Sequence, residues 1–129
     1  MNKERVKDVM TSLVVMVVPN DSIQYVATQL VRNRISGAPV VKDGKVLGVI
    51  SEGDIACLPS RSDQAAADFM SVPVVTVGPD DSQLRAAQLL NRHGIKRLPV
   101  VDADGYLVGI ISRGDLVRAM VQPMSQLAG

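Results

Sequence analysis

The sequence predicts an α/β fold made of two β-α-β-β-α repeats that pack on each other with approximate two-fold symmetry. Three observations predict it. The chain repeats itself in order along nearly its whole length. Its apolar residues are almost all aliphatic. Each copy alternates short β-branched runs with one stretch of helical spacing.

The repeat decides the architecture. At a shift of 60 residues Met10 falls on Met70, and Val14, Val15 and Val17 fall on Val74, Val75 and Val77. Pro19, Asp21 and Ser22 meet Pro79, Asp81 and Ser82; Ala27, Leu30, Arg32 and Ile35 meet Ala87, Leu90, Arg92 and Ile95. Pro39-Val40-Val41 meets Pro99-Val100-Val101, and one extra residue then enters at Asp102-Ala103-Asp104-Gly105. Beyond it Gly44, Gly48, Ile50, Ser51, Gly53 and Asp54 fall on Gly105, Gly109, Ile111, Ser112, Gly114 and Asp115. The insertion lies in a turn, where insertions are tolerated.

The elements follow in the same order twice. Val14–Val18 and Val74–Val77 read as a first strand. Ser22 and Ser82 stand at helix N-caps. Ile23, Val26, Ala27 and Leu30, and in the second copy Leu84, Ala87 and Leu90, give each helix its apolar stripe. Pro39 and Pro99 open Pro-Val-Val strands, where a proline costs no ladder bond. Lys42-Asp43-Gly44-Lys45 and Asp102–Gly105 read as hairpin turns. Val46–Ile50 and Tyr106–Ile111 are the return strands, and a second helix starts at Ser51 or Ser112. The expected division is residues 1–63, with an N-terminal helix and the linker, and residues 64–129. A repeat of about 50 residues buries too little apolar surface to be secure alone, so the two are expected to form one module.

Composition narrows the function. Of 129 residues 47% are hydrophobic, with no Trp and only Phe69, Tyr25 and Tyr106 aromatic, so the core must be aliphatic. The net charge of +1 lacks the basic excess of a nucleic-acid binder, which makes that partner unexpected. Cys57 is the only cysteine, which excludes an internal disulfide and cysteine-cluster metal sites. The charged start, Met1 to Asp8, does not read as a signal peptide, and no apolar run reaches the length of a membrane helix. A cytoplasmic protein with no membrane partner is expected. Neither a G-x-x-x-x-G-K-[ST] loop nor a G-x-G-x-x-G fingerprint occurs. With His93 the single histidine, no Ser/His/Asp triad can be assigned. No catalytic residue, metal or required cofactor is expected. Met10, Met70, Met120 and Met124 read as fillers of core or interface gaps, and Cys57 as a small buried hydrophobe.

The repeated motifs resemble the CBS (cystathionine-β-synthase-like) domain family. Val9-Met10-Thr11 and Phe69-Met70-Ser71 carry the likeness at the repeat starts. Ile35-Ser36-Gly37-Ala38-Pro39-Val40-Val41 and His93-Gly94-Ile95-Lys96-Arg97-Leu98-Pro99-Val100-Val101 continue it. Gly48-Val49-Ile50-Ser51-Glu52-Gly53-Asp54 and Gly109-Ile110-Ile111-Ser112-Arg113-Gly114-Asp115 complete it. The likeness runs from about Val6 to Met120 and leaves only short tails. It implies a Bateman module whose inter-repeat cleft holds an adenosine derivative, such as AMP, ADP, ATP or S-adenosylmethionine. It also implies pairing of modules into homodimers.

The Ser-x-Gly-Asp segments at the strand-to-helix junctions carry two readings. Ser followed three residues later by an acid is close to a capping box. A carboxylate there also matches a ribose diol, and a hydroxyl at a helix N-terminus suits phosphate. The resemblance assigns Asp54 and Asp115 to ribose and Ser51 and Ser112 to phosphate. It implies one site with Met16, Ser36, Gly37, Ala38, Ser51 and Asp54 that borrows Lys96 and Arg97. A second would use Thr76, Lys96, Arg97, Leu98, Ser112 and Asp115. Lys96 and Arg97 form the plausible anion clamp, where the first repeat has Ser36-Gly37; an ordinary solvated helix end is the alternative, and for His93 the favoured one. Glu52 disfavours a triphosphate at the first site, and Met16 replaces the Thr of the second copy. The expected function is therefore regulatory binding of an adenosine-type ligand, with an unidentified target protein. A structural dimerisation module without nucleotide is the alternative.

Overall fold

The computed structural model describes residues 4–58 and 64–128, with side chains up to Val121. The chain divides into two compact units, a central one of Val15–Val74 and a terminal one in which Met1–Val14 joins Val75–Gly129. The compact units therefore do not begin and end where the sequence repeats do: the segment before each repeat packs in the unit of the other.

In the central unit the order is α1 (Ile23–Asn33), β1 (Gly37–Lys42), β2 (Lys45–Ser51), α2 (Glu52–Ile55) and α3 (Ala66–Phe69). Ser22 caps α1, its hydroxyl accepting from Tyr25 N–H at 3.1 Å. Strands β1 and β2 form an antiparallel hairpin. Asp43 and Gly44 both take positive φ, 53° and 82°, as a two-residue turn matched to strand twist requires. Ile23, Val26 and Leu30 of α1 meet Val17, Ala38, Val40, Ile50, Ile55 and Ala66 in an aliphatic core, with Phe69 and Met70 packed against it.

The terminal unit repeats this plan with α4 (Gln83–His93), β3 (Arg97–Val101), β4 (Leu107–Ser112) and α5 (Arg113–Ala128). Ser82 caps α4 through Arg85 N–H at 3.0 Å. Gly105, at φ 89°, closes the β3–β4 turn, and Asp102 Oδ1 accepts from the N–H groups of Asp104 and Tyr106. The expected N-terminal helix is a single 3-10 turn, Val6–Asp8. Its Val6 is fully buried in a core with Val77, Ala86, Leu89, Leu90, Leu98, Val100 and Ile111. Val6 N–H donates to Asp81 O at 2.8 Å and Lys7 N–H to Pro79 O at 2.9 Å. The Lys7 ammonium lies 3.0 Å from the Asp80 carboxylate and, by hydrogen bond and charge, holds its pKa below the ordinary value.

Three expectations are corrected in detail. The first strand of each repeat contracts to a one-residue parallel bridge, Val17 to Val40 and Val77 to Val100. Val17 N–H donates to Pro39 O at 3.0 Å and Val41 N–H to Val17 O at 2.8 Å. The next bonds on either side would need the N–H groups of Pro19 and Pro39, which prolines lack; Pro79 and Pro99 end the second bridge in the same way. On α4 the buried stripe is Ala86, Leu89 and Leu90, while Leu84 is 67% exposed. Leu84 stands where the first repeat has the exposed Gln24. Cys57 is exposed, not buried, because α2 ends after one turn.

The Met-Thr/Ser motifs have a packing role. Thr11 pairs with Ile110 beside β4, and Ser71 with Val49 beside β2. This lays Met10 over Gly109 and Met70 over Gly48. A Cβ on Gly109 would stand 2.6 Å from Met10 Sδ and 3.0 Å from the Thr11 carbonyl oxygen. One on Gly48 would stand 2.6 Å from Met70 Sδ. Glycine admits this approach without displacing either methionine.

Candidate functional site

Each unit ends its hairpin in the same device, a strand running into a helix through Ser-x-Gly-Asp. In the central unit Gly37 pairs with Ser51 across the hairpin, and Glu52 N–H donates to Ser36 O at 2.9 Å. Ser36, Gly37 and Ala38 are thus held beside Ser51–Asp54. In the terminal unit Arg97 pairs with Ser112, and Arg113 N–H reaches Lys96 O at 3.3 Å. Lys96, Arg97 and Leu98 stand beside Ser112–Asp115. Met16 and Thr76 each precede the bridge residue that pairs with Val40 of β1 or Val100 of β3.

The aspartates fold back on the junctions. Asp54 Oδ2 accepts from Ser51 N–H at 2.8 Å and from the Ser51 hydroxyl at 3.1 Å. Its Oδ1 receives the Ser71 hydroxyl at 3.5 Å. Asp115 Oδ2 accepts from Ser112 N–H at 2.9 Å, while Ser112 Oγ accepts from Asp115 N–H at 3.2 Å. Its Oδ1 is paired with Arg118 at 2.5 Å. The capping role is therefore present in both copies, and it fixes each carboxylate at the strand end. A carboxylate oxygen has two lone pairs, so capping leaves acceptor capacity.

The other candidate residues separate by burial. Ala38 and Leu98 have no exposed surface and belong to the two cores, so only their main chain could meet a ligand. Met16 is 46% exposed, and Lys96 is exposed. His93 is an exposed residue of the last turn of α4 beside Arg92, a solvated helix end. Two partners of the aspartates escaped the sequence reading: Ser71, visible only as part of the repeated Met-Ser motif, and Arg118, whose signal was its position three residues after Asp115 on a helix. Among the described residues no group of three His, Cys, Asp or Glu side chains could hold a metal, and no helix is long and apolar enough to cross a membrane.

The CBS domain profile matches residues 6–59 and again 66–122. The chain belongs to the CBS domain family. It is a tandem CBS pair, and relatives of similar length share its plan. The CBS domain-containing protein YhcV of Bacillus subtilis is 38% identical over 128 residues, covering 96% of this chain and 89% of that protein. Among solved structures, the CBS-pair protein CBSX2 from Arabidopsis thaliana superposes with a TM-score of 0.85 at 32% identity, over 95% of this chain and 97% of that one. CBSX2 in complex with AMP gives 0.83 at 32% identity, over 94% and 98%. The CBS domain pair of MJ0100, in complex with 5′-methylthioadenosine and S-adenosyl-L-methionine, gives 0.82 at 27% identity, over 92% and 97%. The α/β class and the two-repeat organisation expected from the sequence hold.

Proposed function

We propose that this CBS pair is a regulatory module that binds an adenosine-containing ligand, such as AMP, ADP or ATP, and acts on a target protein as a homodimer in the cytoplasm. The observation that carries the reading is the duplicated junction: a carboxylate fixed by Ser51 or Ser112 at the end of a hairpin, beside Ser36–Ala38 or Lys96–Leu98. Asp54 and Asp115 would accept from the ribose hydroxyls, with Ser51 and Ser112 turned to phosphate. Gly37, Ala38 and Leu98 would offer main-chain groups to the base, with Met16 and Thr76 at its edge. Lys96 and Arg97 would supply charge to the phosphates. The complexes of two similar pairs, with AMP and with 5′-methylthioadenosine and S-adenosyl-L-methionine, support an adenosyl ligand. No cofactor is required in this reading, which assigns the chain no chemistry.

A thermal-shift screen with AMP, ADP, ATP, S-adenosylmethionine, NAD and cyclic dinucleotides tests it. A ligand at 100 times its dissociation constant stabilises the folded chain by about 2.7 kcal/mol, a readable rise in Tm. No rise with any adenosine compound at millimolar concentration would leave a dimerisation module without nucleotide.

A further inference from the structure

The two junctions differ at one place that the repeat makes easy to see. Three residues after the aspartate the central unit has Cys57 and the terminal unit has Arg118. Cys57 is exposed, whereas Arg118 pairs with Asp115 Oδ1 at 2.5 Å. The Asp115 side chain is 8% exposed and that of Arg118 is 67% exposed, so the guanidinium covers the carboxylate from the solvent side. A Cβ on Gly114 would meet Arg118 Nη1 at 3.3 Å and Ser112 Oγ at 3.6 Å. Guanidinium and serine hydroxyl therefore converge over the same glycine.

This arrangement has a chemical consequence for any ligand whose diol must reach Asp115. The ion pair must first open. A neutral nucleoside offers the displaced guanidinium nothing in return. A phosphorylated one offers an anion to which Arg forms short charge-assisted bonds, and the Ser112 hydroxyl lies at hand. Arg118 is largely exposed and free to swing outward, and a diol that bonds Asp115 in its place keeps the buried carboxylate satisfied.

We propose that Arg118 is a specificity-determining residue that gates the Asp115 site, excluding neutral adenosine compounds and admitting phosphorylated ones, while the Asp54 site, with Cys57 at that position, carries no such gate. The inference rests on the adenosine-ligand reading above and adds to it a selection by charge.

Calorimetric titration with adenosine and AMP tests it in an Asp54→Asn chain, which reports the Asp115 site. With Arg118 in place, AMP binds about tenfold or more tighter than adenosine. Arg118→Ala tightens adenosine and weakens AMP, so the preference narrows to what Lys96 and Arg97 supply, whereas Arg118→Lys keeps most of it. In an Asp115→Asn chain, Cys57→Arg on its exposed position raises the AMP-to-adenosine ratio of the other site above its value with Cys57. An AMP-to-adenosine ratio unchanged by Arg118→Ala, in a parent chain that binds AMP, overturns the gate alone. A parent chain that binds neither compound overturns the ligand reading, and the gate with it.

Discussion

At the scale of single residues, the repeated glycines and aspartates answer to two different demands. Gly48 and Gly109 are required by contact: the methionine of each Met-Thr/Ser motif lies on them. Gly109→Ala forces the Thr11 main chain to move as well as Met10, and overpacking of this kind costs roughly 1–3 kcal/mol. At Gly48 the three nearest atoms all belong to the Met70 side chain, which can yield, so Gly48→Ala is expected to cost less. Urea unfolding of both variants checks the order, and equal midpoints for Gly109→Ala and wild type would contradict the packing. The aspartates were legible as capping candidates from the Ser-x-Gly-Asp spacing, and the hydrogen bonds to Ser51 and Ser112 are there. The glycine contacts were not, because Met70 lies 22 residues from Gly48 and Met10 lies 99 from Gly109, and no local pattern links them.

At the scale of elements, local chemistry explains most of what the sequence showed and most of what it hid. Both serine N-caps, both hairpin turns and the stripe of α1 were readable, since each depends on neighbours within one turn. The expected first strands were not, because strand length depends on a partner. Val17 and Val77 pair for one residue, and prolines at 19, 39, 79 and 99 deny the next bonds. Leu84 misled because its hydrophobicity outweighed the alignment with Gln24. The helix ends differ instructively. Gly94 closes α4 in the left-handed region at φ 61°, and Arg34 does the same for α1 at φ 55°. A side chain in that region costs on the order of 1 kcal/mol. Arg34→Gly is therefore expected to raise stability by about 0.5–1 kcal/mol and Gly94→Ala to lower it by about 1 kcal/mol. Thermal melts of the two variants should move in opposite directions; a fall in Tm for Arg34→Gly would contradict the strain.

At the scale of the whole molecule, the chain spends its ends and its middle on different units. Val6 reaches the core of the terminal unit and Ala66 that of the central one, so each repeat depends on a segment that precedes the other. Sequence similarity exposed the duplication but not this exchange, because an aligned repeat is silent about which copy its leading segment joins. Several apolar side chains remain on helix surfaces, among them Val31 at 79% and Met120 at 76% exposure. They motivate the homodimer, and light scattering at high micromolar concentration is expected to give twice the chain mass; a monomer there removes the claim.

The central claim, that a fixed aspartate reads the ribose of an adenosine ligand, is tested most directly by paired calorimetric titration with AMP and 2′-deoxy-AMP. Wild type, Asp54→Asn, Asp115→Asn and the double variant are compared. Loss of one bond to the diol costs about 1–3 kcal/mol, so wild type should prefer AMP by roughly fivefold or more, and the double variant should lose both the affinity and the preference. Asparagine retains much of the capping capacity, which separates binding from folding. Wild-type affinity and wild-type preference in the double variant would show that Asp54 and Asp115 are caps and nothing more.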